Sequence, residues 1–275
     1  MTLTSPTYLR TSLAAAMTLG LRPGLFFRGA GLDCLNLLLT YGEGCQANCS
    51  YCGLSRDTVS RGEDNFIRVE WPTYTVEEIV RRSRDGAASF ERVCLSMIMH
   101  PRAVEDTIEL TERLNREIGL PVSVLVNPST LHDGDLEAFH TAGADMATVA
   151  IDAATPELFE QHRGSGVTGG HRWDRYWQAL EEAALVFGGG RIGAHLIAGL
   201  GETERELVAL IQKIHARGGQ THLFSFYPEQ GSKLRNSLPC PSGHVRRIQL
   251  ARCVIDCYLA VDLQREIDEL ARLTW

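Results

Sequence analysis

The stretch Leu35-Asn-Leu-Leu-Leu-Thr-Tyr41-Gly-Glu-Gly-Cys45-Gln-Ala-Asn-Cys49-Ser-Tyr-Cys52-Gly53 contains an apolar run followed by a loop with three cysteines. A continuous apolar run of this length is typical of a strand buried on both faces of a parallel sheet. The loop after it is polar and contains glycine, which lets the backbone curl tightly. The sequence therefore predicts a buried strand over 35–41 that delivers three thiols to its carboxyl end.

Similar apolar runs alternate with amphipathic windows along the rest of the chain. The further predicted strands are 92–97, 122–126, 146–151, 191–198 and 221–226. The predicted helices are 76–84, 104–118, 136–141, 176–186 and 204–216. Thr75 and Thr203 each precede an acidic residue three positions on, which predicts capping boxes.

Successive βα units of this kind predict an α/β fold with a parallel sheet and right-handed crossovers. Because the candidate functional residues recur at the carboxyl ends of the strands, we expect a partial (β/α)6 TIM-like barrel rather than a doubly wound sheet. We expect one domain over 1–275, with an N-terminal helical extension (1–30), a barrel core (31–230) and a C-terminal loop and helices (231–275). The last two helices are predicted between 245 and 273.

Charge and hydropathy narrow the classes of partner. The formal net charge of -7 provides no overall basic field, so we expect no nucleic-acid partner and no membrane association. No window approaches the roughly 20 apolar residues that span a bilayer, and the apolar stretch 12–19 is read as a packed helix rather than a signal peptide. We expect a cytoplasmic protein. In a reducing compartment, eight cysteines indicate metal or redox chemistry rather than disulfides.

Cys45, Cys49 and Cys52 are the candidate catalytic and metal-binding residues. Three thiolates in one loop can hold an iron–sulfur cluster if the backbone curls around it. Three ligands leave one iron of a cubane open for an external ligand, such as the amino and carboxylate groups of a bound cofactor. The alternatives are a structural zinc with a distant fourth ligand and an accidental group of buried cysteines.

The C-x3-C-x2-C spacing, with Tyr51 before the last cysteine and a strand before the loop, resembles the radical S-adenosylmethionine (SAM) superfamily. The resemblance implies a [4Fe-4S] cluster on these cysteines and an injected electron that splits SAM into methionine and a 5′-deoxyadenosyl radical. It implies that Tyr51 lies against the adenine. It also implies flavodoxin or ferredoxin as the electron donor.

Two charged residues further along match the cofactor site that this resemblance implies. Asp152 ends the fourth predicted strand, where a carboxylate suits the hydroxyls of a ribose; the alternative is a cap for the helix from Pro156. Related enzymes place an arginine for the methionine carboxylate after this point. Arg172 is our choice for it, with Arg163 and Arg175 as alternatives.

The fifth predicted strand contains His195-Leu-Ile-Ala-Gly199-Leu-Gly201-Glu202, which resembles the family's G-x-I-x-G-x-x-E adenine segment. Gly199 and Gly201 would allow the backbone to approach the adenine. Glu202 either belongs to this site or opens the next helix. His195 stands where the family usually has glycine, and it either faces the active site or belongs to the core.

Within the superfamily, the chain resembles the biotin synthase and lipoyl synthase group, closest to the two-component lipoyl synthases. The resemblance rests on 152–159, 173–177 and 195–204. It implies sulfur insertion at an unactivated C–H of an octanoyl chain on a carrier protein or peptide, with a second radical SAM subunit as partner. The segment 52–57 resembles instead methylornithine synthase and hydrogenase-maturation proteins, which keeps open a radical rearrangement or maturation reaction without sacrificial sulfur. A cluster-bearing scaffold or electron carrier is the third interpretation.

Sulfur insertion needs a sulfur source, usually a second cluster near the substrate. Cys253 and Cys257 are four residues apart on one face of the last long helix, and Cys240 precedes it. We expect these three to hold a second [4Fe-4S] cluster at the barrel mouth. Cys94 resembles one ligand position of the biotin synthase auxiliary cluster. Plain burial is the alternative for Cys34, Cys94, Cys253 and Cys257.

Overall fold

The computed structural model describes residues 3–58, 65–66, 68–85 and 90–258. The strands are β1 (Tyr8–Thr11), β2 (Cys34–Leu39), β3 (Asn65–Phe66), β4 (Val69–Glu70), β5 (Thr73–Thr75), β6 (Arg92–Ser96), β7 (Val122–Val126), β8 (Ala144–Asp152), β9 (Ile192–Ala198) and β10 (Gly219–Ser225). The helices are α1 (Leu13–Thr18), α2 (Val76–Arg84), α3 (Ala103–Ile118), α4 (Asp135–Thr141), α5 (Pro156–His162), α6 (Trp173–Phe187), α7 (Glu204–His215) and α8 (Ser242–Tyr258).

The main sheet has eight strands in the order β10-β9-β8-β7-β6-β2-β1-β5. Every neighbouring pair from β2 to β10 is parallel. The six parallel strands are therefore consecutive in space as the predicted βα units require. The fold is α/β with a mostly parallel sheet of the partial-barrel type, which confirms the predicted fold class.

Alternation along the strands separates two faces. Residues such as Leu35, Leu37, Val93 and Leu95 are fully buried beneath the helices. The residues between them line the opposite, concave side. This lumen face comprises Arg10 on β1, Asn36 and Leu38 on β2, Cys94 and Ser96 on β6, Ser123 and Leu125 on β7, Met146 and Thr148 on β8, His195 and Ile197 on β9, and His222 and Phe224 on β10.

The N-terminal segment differs from the predicted helical extension. β1 pairs antiparallel with β2 on one side and with β5 on the other, so it widens the sheet. Buried Leu9 and Thr11 alternate with the half-buried Tyr8 and Arg10. This is the two-residue period of a strand, but it extends over four residues only. The prediction missed this strand because so short an alternation is difficult to distinguish from loop. The predicted packed helix is present as α1.

The C-terminal part contains α8, which packs mainly on α7. This helix corresponds to the first of the two predicted terminal helices. Residues 259–275 lie outside the described part of the chain. None of the described helices combines the length and the apolar character needed to cross a membrane.

Helix α7 begins with a complete capping box. The Thr203 hydroxyl accepts a hydrogen bond from the Glu206 N–H (3.3 Å), and the Glu206 carboxylate accepts one from the Thr203 N–H (2.7 Å). Thr75 caps α2 by the first kind of bond, from the Glu78 N–H. The Thr203 box fixes where the chain turns from the loop after β9 into α7.

Replacing Thr203→Ala should lower the free energy of unfolding by about 1 kcal/mol, because an N–H at the helix start loses its partner. Urea denaturation followed by circular dichroism measures this change. Thr203→Ser is the matched control, since it keeps the hydroxyl. Equal stability of the Ala variant and the native protein would contradict the assigned capping role.

Candidate active site

The cysteine loop (residues 42–53) is fixed by contacts to the ends of distant elements. The Ser50 N–H donates to the His162 carbonyl (2.8 Å), and the Ser50 hydroxyl lies 2.8 Å from His162 Nδ1. The other ring nitrogen of His162 lies 2.9 Å from the Leu200 carbonyl. His162 therefore ties the loop both to the end of α5 and to the chain after β9. The sequence offered no sign of this role, because the partners are far apart along the chain.

Asn48 provides a second anchor. Its side-chain amide donates to the Asp57 carboxylate (2.7 Å) and to the Val167 carbonyl (2.8 Å). The Leu234 N–H donates to the Ser50 carbonyl (3.1 Å), so the C-terminal loop also contacts this segment. Together these bonds set the path of the loop without any contribution from a cysteine.

Tyr51 and Asp152 meet at the edge of the cysteine loop, as the sequence predicted for two residues of one site. The Tyr51 hydroxyl donates to the Asp152 carboxylate (2.5 Å). Asp152 ends β8 in the left-handed region (φ 63°), directly after an irregularity in the pairing of β8 with β9. Aspartate tolerates this conformation better than most residues. The strained turn carries the carboxylate toward the loop.

Arg163 lies between this carboxylate and the cysteines. It is buried, its guanidinium is 3.1 Å from the Asp152 carboxylate, and it donates to the Tyr176 hydroxyl (3.1 Å) and the Ala150 carbonyl. Burial acts to lower the pKa of Arg163, but its electrostatic interactions with Tyr176, Tyr51 and the Asp152 carboxylate prevail and raise it. The buried Nε has no hydrogen-bond partner among the described residues. The guanidinium is thus charged and incompletely satisfied.

Arg172, the first choice from the sequence, lies elsewhere. It precedes α6, is exposed, and lines a cavity of about 300 Å³ with Pro128 and Asp174. The chain between Arg163 and Arg172 turns through a 3-10 segment and two glycines, which carries the second arginine to the surface. The structure therefore brings Arg163, and not Arg172, to the cysteine loop. Arg175 is ion-paired with Glu182 (2.9 Å).

Gly199 and Glu202 form one closed turn after β9. The buried Glu202 carboxylate accepts hydrogen bonds from the N–H groups of Gly199 (2.6 Å) and Leu200 (2.9 Å), and it lies 3.1 Å from His244 Nε2. Gly199 has φ 101°, and a Cβ there would lie 2.5 Å from the Cβ of Cys240. Only glycine fits. Glu202 shapes this turn through its side-chain carboxylate, and Thr203 rather than Glu202 caps the helix that follows.

The predicted second cluster on Cys240, Cys253 and Cys257 is not assembled in this fold. Cys240 packs on the turn after β9, before α8 begins at Ser242. Cys253 lies eleven residues further on, roughly 16 Å along the helix axis. Cys253 and Cys257 are exposed, with their sulfur atoms 3.9 Å apart. The prediction followed nearness in sequence, but the rise of the helix separates the first thiol from the other two.

Cys34 and Cys94 lie together at the amino end of the lumen. They occupy adjacent parallel strands, and the Cys94 sulfur is 2.8 Å from the Ser123 hydroxyl. A hydrogen bond from Cys34 lowers the pKa of Cys94, and Ser123 adds to this effect. Cys94 is therefore the more acidic of two neighbouring thiols on the concave side of the sheet.

A family model described as Radical SAM superfamily matches residues 39–214, from the end of β2 to the end of α7. This chain belongs to the radical SAM superfamily. The match covers the cysteine loop, Asp152 and Arg163. Membership implies a [4Fe-4S] cluster that works with SAM.

Three known proteins indicate how far the likeness extends. A probable GTP 3',8-cyclase from Methanothermobacter thermautotrophicus is 28% identical over 129 residues, which are 47% of this chain and 39% of that protein. SuiB from Streptococcus suis superposes with a TM-score of 0.52 at 11% identity, over 77% of this chain and 44% of that one. The radical SAM methyltransferase TsrM from Kitasatospora setae has a TM-score of 0.45 at 16% identity, over 74% and 38%. The chain spans less than half the length of each relative.

The donor set of the radical SAM loop fits an iron–sulfur cluster. Burial raises the pKa of Cys45, Cys49 and Cys52, and the charges of the other two thiolates raise that of Cys52 further. Three enclosed thiolates repel one another, so bound iron cations would offset both penalties. Each cysteine of a cubane binds a different iron. Consistently, no three His, Cys, Asp or Glu side chains in the described ranges surround a single ion position.

His171, beside this site, should make the protein sensitive to acid. Its Nδ1 lies 2.8 Å from the Ser129 hydroxyl, and burial, aided by Arg163, lowers its pKa to about 2. A histidine in an unfolded chain has a pKa of about 6.5. Because the folded pKa is the lower one, the neutral ring contributes stability above about pH 6.5, and this contribution is lost as the pH falls.

We expect the free energy of unfolding of the cluster-free protein to fall between pH 6.5 and pH 5, and His171→Gln to reduce that slope by about 1.4 kcal/mol per pH unit. Urea denaturation at several pH values measures the slope. His132→Gln is the control, since His132 is exposed. A slope unchanged in the His171 variant would show that this ring does not stay neutral in the folded protein.

Proposed function

We propose that the three cysteines of the loop hold the [4Fe-4S] cluster and that Arg163 and Asp152 bind SAM beside it. The observation that carries this proposal is the buried contact of Arg163, Asp152 and Tyr51 against Cys49, whose pKa Arg163 lowers against the effect of burial. When bound, the cluster and SAM supply a carbon radical that removes hydrogen from a substrate C–H. The protein's own residues bind and orient the reactants.

Each residue has a role that its surroundings support. The guanidinium of Arg163, with its buried Nε unsatisfied, suits a carboxylate such as that of methionine. Tyr51 and Arg163 both contact one oxygen of the Asp152 carboxylate, so the other oxygen is placed to accept from the hydroxyls of a ribose while the ion pair stays intact. Gly199 lets Cys240 pack closely on the turn after β9, and Glu202 holds that turn in place.

Arg163→Gln should weaken SAM binding by at least about tenfold, because a charge-assisted hydrogen bond to the carboxylate is lost. Arg172→Gln is the matched control and should bind SAM as the native protein does. Equilibrium dialysis with the anaerobically reconstituted protein measures binding. The release of 5′-deoxyadenosine with dithionite measures cleavage, and Asp152→Asn should reduce both.

Iron content per chain identifies a variant that merely fails to hold the cluster. Arg163→Lys, which keeps the charge paired with Asp152, provides a second test if the Gln variant misfolds. Weakened SAM binding in the Arg172 variant alone would contradict the assignment. Replacing all three loop cysteines should abolish SAM cleavage. A scaffold or electron carrier would not cleave SAM even with its native cysteines.

For the substrate, we propose an acyl chain. The described lumen face is mostly apolar or uncharged, with Arg10 at one side. The charges of Arg92 and Asp145 at the amino end of the lumen are paired with each other (2.5 and 2.8 Å). A cavity of about 130 Å³, lined in part by Leu38, Cys45 and Arg10, opens beside the cysteine loop. The uncharged wall of the lumen suits an alkyl chain better than a triphosphate, whereas the lining of this cavity is mixed and also includes Glu43 and Arg56.

The finer proposal is sulfur insertion into an octanoyl chain on a carrier protein or peptide, with flavodoxin or ferredoxin as reductant and a second radical SAM subunit as partner. Cys34 and Cys94, adjacent in the lumen, are the described cysteines outside the loop that support it. The alternative is a radical rearrangement, cyclisation or maturation reaction without sacrificial sulfur. The similarity to a probable GTP 3',8-cyclase and the separation of Cys240 from the two cysteines of α8 favour this alternative.

Incubation with an octanoylated carrier-domain peptide, SAM and dithionite separates the two reactions. Sulfur insertion should give a peptide heavier by sulfur, about eight irons per reconstituted chain for two clusters, and loss of the sulfur product in a Cys34→Ala, Cys94→Ala variant that still forms 5′-deoxyadenosine. A Cys253→Ala, Cys257→Ala variant is the control. About four irons and no sulfur product would leave the reaction without sacrificial sulfur.

A further inference from the structure

His195 and His222 form a pair inside the lumen that the cofactor site does not use. They are register partners on the adjacent parallel strands β9 and β10. Their ring centroids are 5.3 Å apart at an interplanar angle of 62°, and the ring of Phe224 lies 4.8 Å from that of His195. Since the strands fix both backbones, the two imidazoles form one rigid polar spot on an otherwise largely uncharged wall.

The space around the pair is shaped to keep the rings where they are. A Cβ at Gly193 would lie 3.0 Å from the Thr148 hydroxyl and 3.3 Å from His222 Nε2. Glycine therefore makes room for the ring of His222 below His195. Neither imidazole has a hydrogen-bond partner among the described residues, and both histidines are only half-buried, which leaves their ring nitrogens open to the lumen. A molecule bound in the lumen would supply that partner.

The charge state of the pair restricts what it can bind. Burial lowers the pKa of both rings, aided at His195 by His222 and Arg163 and at His222 by Arg252. Both rings are neutral at pH 7, and each has one N–H donor and one acceptor. Neutral donors suit an uncharged polar group better than a phosphate or a carboxylate. A carbonyl oxygen has two lone pairs and can accept from both rings at once.

We propose that His195 and His222 bind the carbonyl oxygen of the acyl substrate and so set which carbon of the chain faces the radical site. This inference rests on the proposed acyl substrate and extends it by naming the group that is recognised. The two histidines are specificity-determining residues. The alkyl chain would lie along the apolar lumen residues between them and the cysteine loop.

Binding of two probe peptides to the reconstituted, SAM-bound protein without reductant tests the pair. One peptide carries octanoyl-lysine, and the other carries S-octyl-cysteine, which has the alkyl chain but no carbonyl. The native protein should prefer the octanoyl probe. His195→Leu and His222→Leu should each weaken octanoyl binding by about tenfold and leave S-octyl binding unchanged. Fluorescence anisotropy measures both affinities.

Two further variants distinguish recognition from packing. His222→Gln keeps a neutral donor and should restore part of the preference, whereas Met146→Leu changes the same wall without removing a hydrogen bond and should retain all of it. Tight octanoyl binding by both leucine variants would overturn the inference and leave the acyl proposal standing. If the native protein binds both probes equally well, the inference about the histidines is overturned. If it binds no octanoyl probe at all, the proposal of an octanoyl substrate is overturned as well. Cleavage of SAM without peptide reports separately on the radical site.

Discussion

The ion pair of Arg163 with Asp152 is the interaction on which the site depends. It joins the end of β8 to the segment after α5, and the cysteine loop closes over it through Tyr51. A buried guanidinium without its carboxylate would carry a large desolvation penalty, so the two residues must be ordered together. The left-handed backbone of Asp152 is tolerated because this pair holds it.

The ion pair is surrounded by a layer that positions the loop without touching iron. One ring nitrogen of His162 is bonded to the Ser50 hydroxyl and the other donates to the Leu200 carbonyl after β9, while the Asn48 amide donates to the segment after α5. These neutral hydrogen bonds transmit the geometry of β8 and β9 to the loop. The ends of these strands therefore position the radical site, although its metal ligands all come from one stretch of chain.

Much of the barrel could be predicted because parallel strands buried on both faces have a strong apolar signature, as at 122–126, and α2 begins and ends where its amphipathic period does. The three loop cysteines and Asp152 were predictable for a similar reason, since the cysteines lie in the loop after one strand and Asp152 ends another. Arg163 competed with Arg172 because both follow β8, and only the turn between them decides which one faces inward. The strand β1 and the linking role of His162 depend on long-range pairing that has no local pattern.

The position of β1 also bears on the order in which the site forms. β1 pairs with β2 and with β5, which flank the segment that contains the cysteines. That segment is consequently a loop whose two ends are fastened to a common strand, whatever is bound inside it. The entropy cost of bringing the two ends of this loop together is offset by the folding of the sheet rather than by the binding of iron. The sheet therefore confines to a small volume the three thiols that would hold the cluster.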